Sequence, residues 1–113
     1  MNERHLCTLQ EIADGRSKGA TCTTTRGERE LILVRRGEQV FVYENSCPHT
    51  GATLNWQPDE FMSFDGMFIQ CSIHGAQFRI YDGYCVWGPC RGQSLRRVAA
   101  EVRNGEVIVQ LQD

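Results

Sequence analysis

The sequence predicts an all-β chain, an antiparallel sandwich or small barrel with two ligand-bearing loops at one end. Short runs rich in β-branched and aromatic residues recur along it. Turn dipeptides fall between these runs at close spacing, and no window keeps a helical apolar period for long. Many short strands joined by tight turns are the pattern of a sandwich or barrel.

Taken in order, the first thirty residues hold a weaker strand or two, with a turn at Asp14-Gly15. Residues 30–34 (ELILV) and 39–43 (QVFVY) are β-rich and are joined by Arg35-Arg-Gly-Glu38, a glycine-containing hairpin signal. Residues 67–70 form a strand that runs into Cys71. Residues 78–81 and 84–87 flank Asp82-Gly83, a two-residue turn signal, and residues 98–103 and 106–111 flank Asn104-Gly105, another. There is no repeat, linker or low-complexity tract, so residues 1–113 read as a single domain. That length buries a modest core without several covalent staples.

Composition excludes several function classes. A net charge of −2 implies neither a nucleic-acid nor a membrane partner. No apolar stretch approaches the length of a membrane span, and the polar start Met1-Asn-Glu-Arg-His5 leads into no signal-peptide core. A cytoplasmic location is the expectation. No Rossmann or phosphate-loop signature is present, so nucleotide binding is not expected.

Two short segments carry the chemistry. Cys47-Pro48-His49 and Cys71-Ser72-Ile73-His74 each offer one thiolate and one imidazole to a metal. Zinc accepts such a set, although its ligands are usually grouped by type along the chain. Here each loop mixes the two types. That arrangement suits a 2Fe–2S cluster in which one iron takes a Cys from each loop and the other a His from each. Zinc stays open as the alternative.

The neighbouring residues sharpen the choice. Cys47-Pro-His-Thr-Gly-Ala52 and Cys71-Ser-Ile-His-Gly-Ala-Gln-Phe78 resemble the two cluster loops of Rieske proteins, and Gly88-Pro89 resembles the proline loop that covers the cluster. The resemblance runs from about Leu9 to Leu111. It implies a Rieske-like β fold, one 2Fe–2S cluster, Cys47 and Cys71 on the inner iron, and His49 and His74 on the outer, solvent-facing iron. Residues 50–70 are a few positions longer than is usual in the ferredoxin members. The excess falls in residues 55–66, where an extra hairpin or flap is expected.

The resemblance also implies a low-potential, oxygenase-associated type. High-potential members carry an extra Cys in each cluster loop, where this chain has Ala52 and Ile73. They also place Ser and Tyr hydroxyls where this chain has Ala76 and Phe78. Hydrogen bonds to cluster sulfur favour the more negative, reduced state, so their loss lowers the potential. At about 1.4 kcal/mol, or about 59 mV, for each hydroxyl, the two account for roughly 0.1 V.

The function implied is that of a ferredoxin, a single-electron carrier with no catalytic residues of its own. It would take electrons from a reductase and pass them to a terminal partner, a Rieske non-haem iron oxygenase by family resemblance. The alternatives are a small subunit of a nitrite-reductase-like complex, a redox sensor, and a zinc-stabilised interaction module. The mononuclear iron site of an oxygenase has no candidate ligands here, because two of the three histidines already belong to the cluster loops.

The other reactive residues take plainer readings. Cys7 and Cys22 read as buried hydrophobes in a reducing compartment. Cys85 and Cys90 allow a bridge or a redox-active thiol beside the cluster. His5 reads as an exposed N-terminal residue. Trp56, Phe61, Phe64 and Phe68 read as core or flap packing rather than a docking patch, and Arg91, Arg96 and Arg97 as a solvated face.

Overall fold

Residues 31–34 are apolar without a break, where a strand with one wet face would alternate. The reason lies in the layering. The computed structural model describes residues 2–25, 27–48, 51, 53–55, 57, 59–72 and 75–111. Its strands are β1 (Asn2–Thr8), β2 (Ser17–Thr24), β3 (Gly27–Arg36), β4 (Gln39–Glu44), β5 (Phe68–Gln70), β6 (Gln77–Arg79), β7 (Cys85–Trp87), β8 (Arg97–Val98), β9 (Ala100–Arg103) and β10 (Glu106–Leu111). They form antiparallel sheets in the orders β1-β10-β9, β2-β3-β4-β8 and β5-β6-β7. Apart from a 3-10 turn at Leu9–Glu11, the described residues contain no helix.

The four-stranded sheet is buried on both faces. Leu31 and Leu33 point into one core with Val42, Val107, Val109 and Leu111. Ile32 and Val34 point into the other, with Tyr43, Ile69, Phe78 and the cysteines of the loops. Successive strand residues face opposite ways, so β3 serves both cores only by being apolar throughout. The second core lies against β5-β6-β7 and includes Cys47 and Cys71.

The hairpins follow the turn chemistry with two corrections. β3 and β4 pair with Arg36 opposite Gln39, and Arg103 opposite Glu106 closes β9 to β10. Asn104 and Gly105 sit at φ 53° and 77°, the left-handed pair that this type of two-residue hairpin needs. The strand expected over residues 98–103 is broken at Ala99 instead. Val98 pairs with Val42 in the central sheet, while residues from Ala100 onward pair with β10. Asp82-Gly83 is likewise not a two-residue turn, because the last pair is Phe78 with Cys85. Residues 80–84 curl over Tyr43, whose hydroxyl donates to the Ile80 carbonyl at 2.6 Å. Gly83 fits there because a Cβ would come within 2.7 Å of the Tyr43 ring.

The N-terminal strands are longer than the sequence suggests. β1 runs antiparallel to β10 and β2 to β3 through their whole lengths, so cross-strand partners supply what local propensity lacks.

Candidate metal centre

The two cysteines expected to bind metal sit at the bases of matching turns. Cys47 follows β4, and its carbonyl accepts from Gly51 N–H at 2.7 Å. Cys71 follows β5, and its carbonyl accepts from Gly75 N–H at 2.9 Å. Both glycines are left-handed, at φ 77° and 69°, a conformation that closes such a turn at little cost without a Cβ. Both cysteine side chains are buried, at 2% and 0% exposure. His49 and His74, the sequence-predicted partners in these turns, lie outside the described residues.

A hydrogen-bond chain locks the two turns to each other. Asn45, itself buried, donates its backbone N–H to the Glu30 carbonyl in β3. Its side-chain oxygen accepts from Leu54 N–H at 2.7 Å, and its amide donates to Asn55 Oδ1 at 2.9 Å. The Leu54 carbonyl in turn accepts from Ser72 N–H at 2.8 Å in the second loop. Asn45 was not singled out from the sequence. Its only local signal is an amide side chain directly after a strand, at a place where a turn begins.

The third loop lies on the second. Gly88 sits at φ 106°, and a Cβ there would fall 2.7 Å from the Ala76 Cα. A Cβ on Gly75 would likewise meet the Trp87 ring at 3.5 Å. The Gly88 backbone therefore packs directly on Ala76, just after the second cysteine turn. Trp87 is 60% exposed beside it. The two positions expected to lack hydroxyls, Ala76 and Phe78, are both wholly buried.

The remaining sequence-predicted residues fall as follows. Cys22 is buried, Cys7 half-buried, and burial pushes both thiols up. Cys85 and Cys90 bring their sulfurs to 3.3 Å as free thiols rather than a bridge. Burial, followed by the hydrogen bond with Cys85, raises Cys90 to about 12. Of the aromatic group, Phe61 is buried, Phe68 half-buried and Phe64 fully exposed, while Trp56 lies outside the described residues. Arg91, Arg96 and Arg97 are exposed, and Arg96 reaches Glu44 at 3.4 Å. His5 is exposed on β1, 3.8 Å from Glu106.

Two buried sulfurs at the bases of turns of one design, held at a fixed separation by Asn45 and Leu54, suit a cluster iron that takes a thiolate from each loop. Among the described residues no group of three or more His, Cys, Asp and Glu forms a metal site. The sulfurs need donors from beyond that set to complete four, and each turn has a histidine in its sequence.

The chain is 32% identical over 83 residues to Ferredoxin CarAc of Metapseudomonas resinovorans, covering 74% of this chain and 72% of that protein. It is 28% identical over 106 residues to the ferredoxin component of the p-cumate 2,3-dioxygenase system of Pseudomonas putida, covering 94% and 83%. A chain in the solved complex of reduced oxygenase and oxidised ferredoxin in carbazole 1,9a-dioxygenase matches with a TM-score of 0.73 at 25% identity, over 97% of each chain. Residues 4–107 match the family model of the Rieske [2Fe-2S] domain. That span contains both cysteine turns and the proline loop, and the chain therefore belongs to the Rieske [2Fe-2S] domain family, whose cofactor is one Rieske-type 2Fe–2S cluster.

Proposed function

We propose that this chain is a ferredoxin that carries single electrons from a reductase to a terminal oxygenase. Cys47 and Cys71 hold the inner iron of its cluster, and His49 and His74 hold the outer one. The observation that carries the reading is the pair of matched turns, Gly51 N–H to Cys47 and Gly75 N–H to Cys71, with both sulfurs buried. When bound, the cluster takes up and releases one electron without breaking a covalent bond of the protein.

The protein's own part is to hold and insulate. Asn45 and the Leu54 carbonyl set the distance between the two turns, and burial of both sulfurs keeps water from the thiolate side. The Gly88 backbone packs on Ala76 just after the second turn, and exposed Trp87 beside it offers a flat apolar surface to a partner. Redox encounters are small and brief, and one such aromatic residue suits them.

The acceptor follows from the relatives. One is the ferredoxin component of a p-cumate 2,3-dioxygenase system, and a matching chain comes from a complex of oxygenase and ferredoxin in carbazole 1,9a-dioxygenase. We assign the same class of acceptor here. We further read residues 1–113 as one domain, because β3 and β4 contribute to both cores. Six unbridged cysteines fit a reducing, cytoplasmic setting. Among the described residues no helix is long and apolar enough to cross a membrane.

The test is an EPR spectrum of dithionite-reduced, anaerobically purified protein, with iron and sulfide analysis. The expected result is a rhombic Rieske signal and about two irons per chain. A colourless, EPR-silent protein that retains zinc would overturn the electron-carrier assignment.

A further inference from the structure

The turn that leads into β5 ends in an apolar tip with nothing over it. Phe64 is fully exposed, and Met67 and Tyr81 are each more than half exposed. A single exposed aromatic residue is ordinary, but this one stands beside a hole. Phe41, Phe68 and Ile80 wall a cavity of about 460 Å³, which Met67, Tyr81 and Arg36 also line. Phe, Tyr, Met and Arg are the residue types enriched where proteins meet.

The tip does not fill the hole of its own chain, because its turn is pinned. Gly66 N–H donates to the Ser63 carbonyl at 2.9 Å. Asp65 Oδ1 accepts from the Ser63 hydroxyl at 2.6 Å and from Met67 N–H at 3.0 Å. Arg36 Nη2 donates to the Gly66 carbonyl at 3.3 Å and ties the turn to the end of β3. Phe64 reaches the cavity of its own chain only if these bonds break.

Charge is matched on the same face. Both bonds to the Asp65 carboxylate fall on Oδ1, and among the described residues Oδ2 has no partner. Arg36 forms no ion pair among the described residues, whereas Arg79, on the other side of the cavity lining, is held by Asp82 at 2.5 Å. One face thus carries a knob with an acid and a hole with a base. A surface that complements itself, with both halves side by side, closes into a two-fold pair instead of growing into a fibre.

We propose that this face joins two copies of the chain about a two-fold axis, Phe64 of each entering the cavity of the other, with Asp65 beside Arg36 of the second copy. The pairing leaves the cysteine turns free. Phe41 lies in β4 upstream of Cys47, Phe68 opens β5 upstream of Cys71, and Ile80 ends the return through β6. The cavity is therefore at the end of these strands away from the turns.

The experiment is sedimentation velocity on the full cluster-loaded chain over a concentration series. The variants are Phe64→Ser, which removes the knob, and Gln39→Trp, which fills the hole from an exposed lining position. Circular dichroism and iron content check that each is folded. The wild type should reach twice the mass of one chain and go no further. Phe64→Ser should weaken association about a hundredfold, because each pair loses two buried rings. An equimolar mixture of the two variants should associate more tightly than either alone, since Phe64 of the Gln39→Trp copy still enters the open cavity of the Phe64→Ser copy.

A wild type with the mass of one chain at every concentration would overturn the proposal and leave the face to a different protein. A mass that keeps climbing would rule out the two-fold closure. Association of Phe64→Ser as tight as wild type, or a mixture no tighter than its components, would show that Phe64 and the cavity do not meet.

Discussion

At Gly88 the backbone takes φ 106° while the Ala76 backbone stands 2.7 Å from where a Cβ would be. Neither the conformation nor the space admits a side chain. Gly88→Ala should cost about 1–3 kcal/mol through strain alone and lift the third loop off the second turn. Urea denaturation would show the lower stability, and iron analysis a lower cluster content. Tyr43 makes a different kind of prediction. Burial raises its phenol from the ordinary value of 10.0 to about 12, so the folded state holds the neutral form more tightly than the unfolded chain does. The resulting stability is fully present below about pH 10 and is lost as pH rises through about 12. The loss approaches roughly 3 kcal/mol at about 1.4 kcal/mol per pKa unit. Denaturation curves between those pH values should show this loss in the wild type and not in Tyr43→Phe. That variant should itself be about 1 kcal/mol weaker at neutral pH, because the Ile80 carbonyl loses its donor.

Among elements, the segment between the cysteine turns carries the extra length, and the hairpin expected in it is present. Its second half folds back as a short antiparallel hairpin, with Met62 bridging Ile69 across the turn at residues 64–67. Residues 61–63 run beside β5, with Gln70 N–H donating to the Phe61 carbonyl and Ser63 N–H to the Phe68 carbonyl. The turn before them is clamped to β2: Asp59 Oδ1 accepts from Gly19 N–H at 2.8 Å, and the Ser17 hydroxyl donates to the Asp59 carbonyl at 2.8 Å. Phe61 packs where Gly19 leaves room. Asp59→Ala should therefore cost about 1–2 kcal/mol and speed amide hydrogen exchange at residues 59–63, with β3 and β4 unaffected. Asp59→Asn should behave nearly as wild type, since Asn keeps an acceptor and tolerates the left-handed φ of 69°. Asn104-Gly105 was legible because its turn is decided by the φ of its own two residues. The Asp59 clamp was not, because its partners lie some 40 residues upstream. Nothing in residues 55–66 encodes that distance.

Across the whole molecule, the central sheet feeds two cores, and only one of them reaches the cysteine turns. Ala76 and Phe78 are wholly buried in that core with no hydroxyl to offer. The midpoint potential should therefore lie below zero, near the low end of the range of about −150 to +300 mV open to Rieske centres. Protein-film voltammetry would measure it. A value above about +100 mV would mean that other donors outweigh the missing hydroxyls.

The sequence alone determined the antiparallel β class, most of the hairpins and the composition of the two cysteine turns, because each depends on residues a few positions apart. Side-chain alternation, turn φ and ligand type are local properties. The split of residues 98–103 between two sheets, the curl of residues 80–84 over Tyr43 and the Asn45 clamp were decided only in three dimensions. Each of these depends on which distant surface a residue meets, and packing settles that for the whole chain at once.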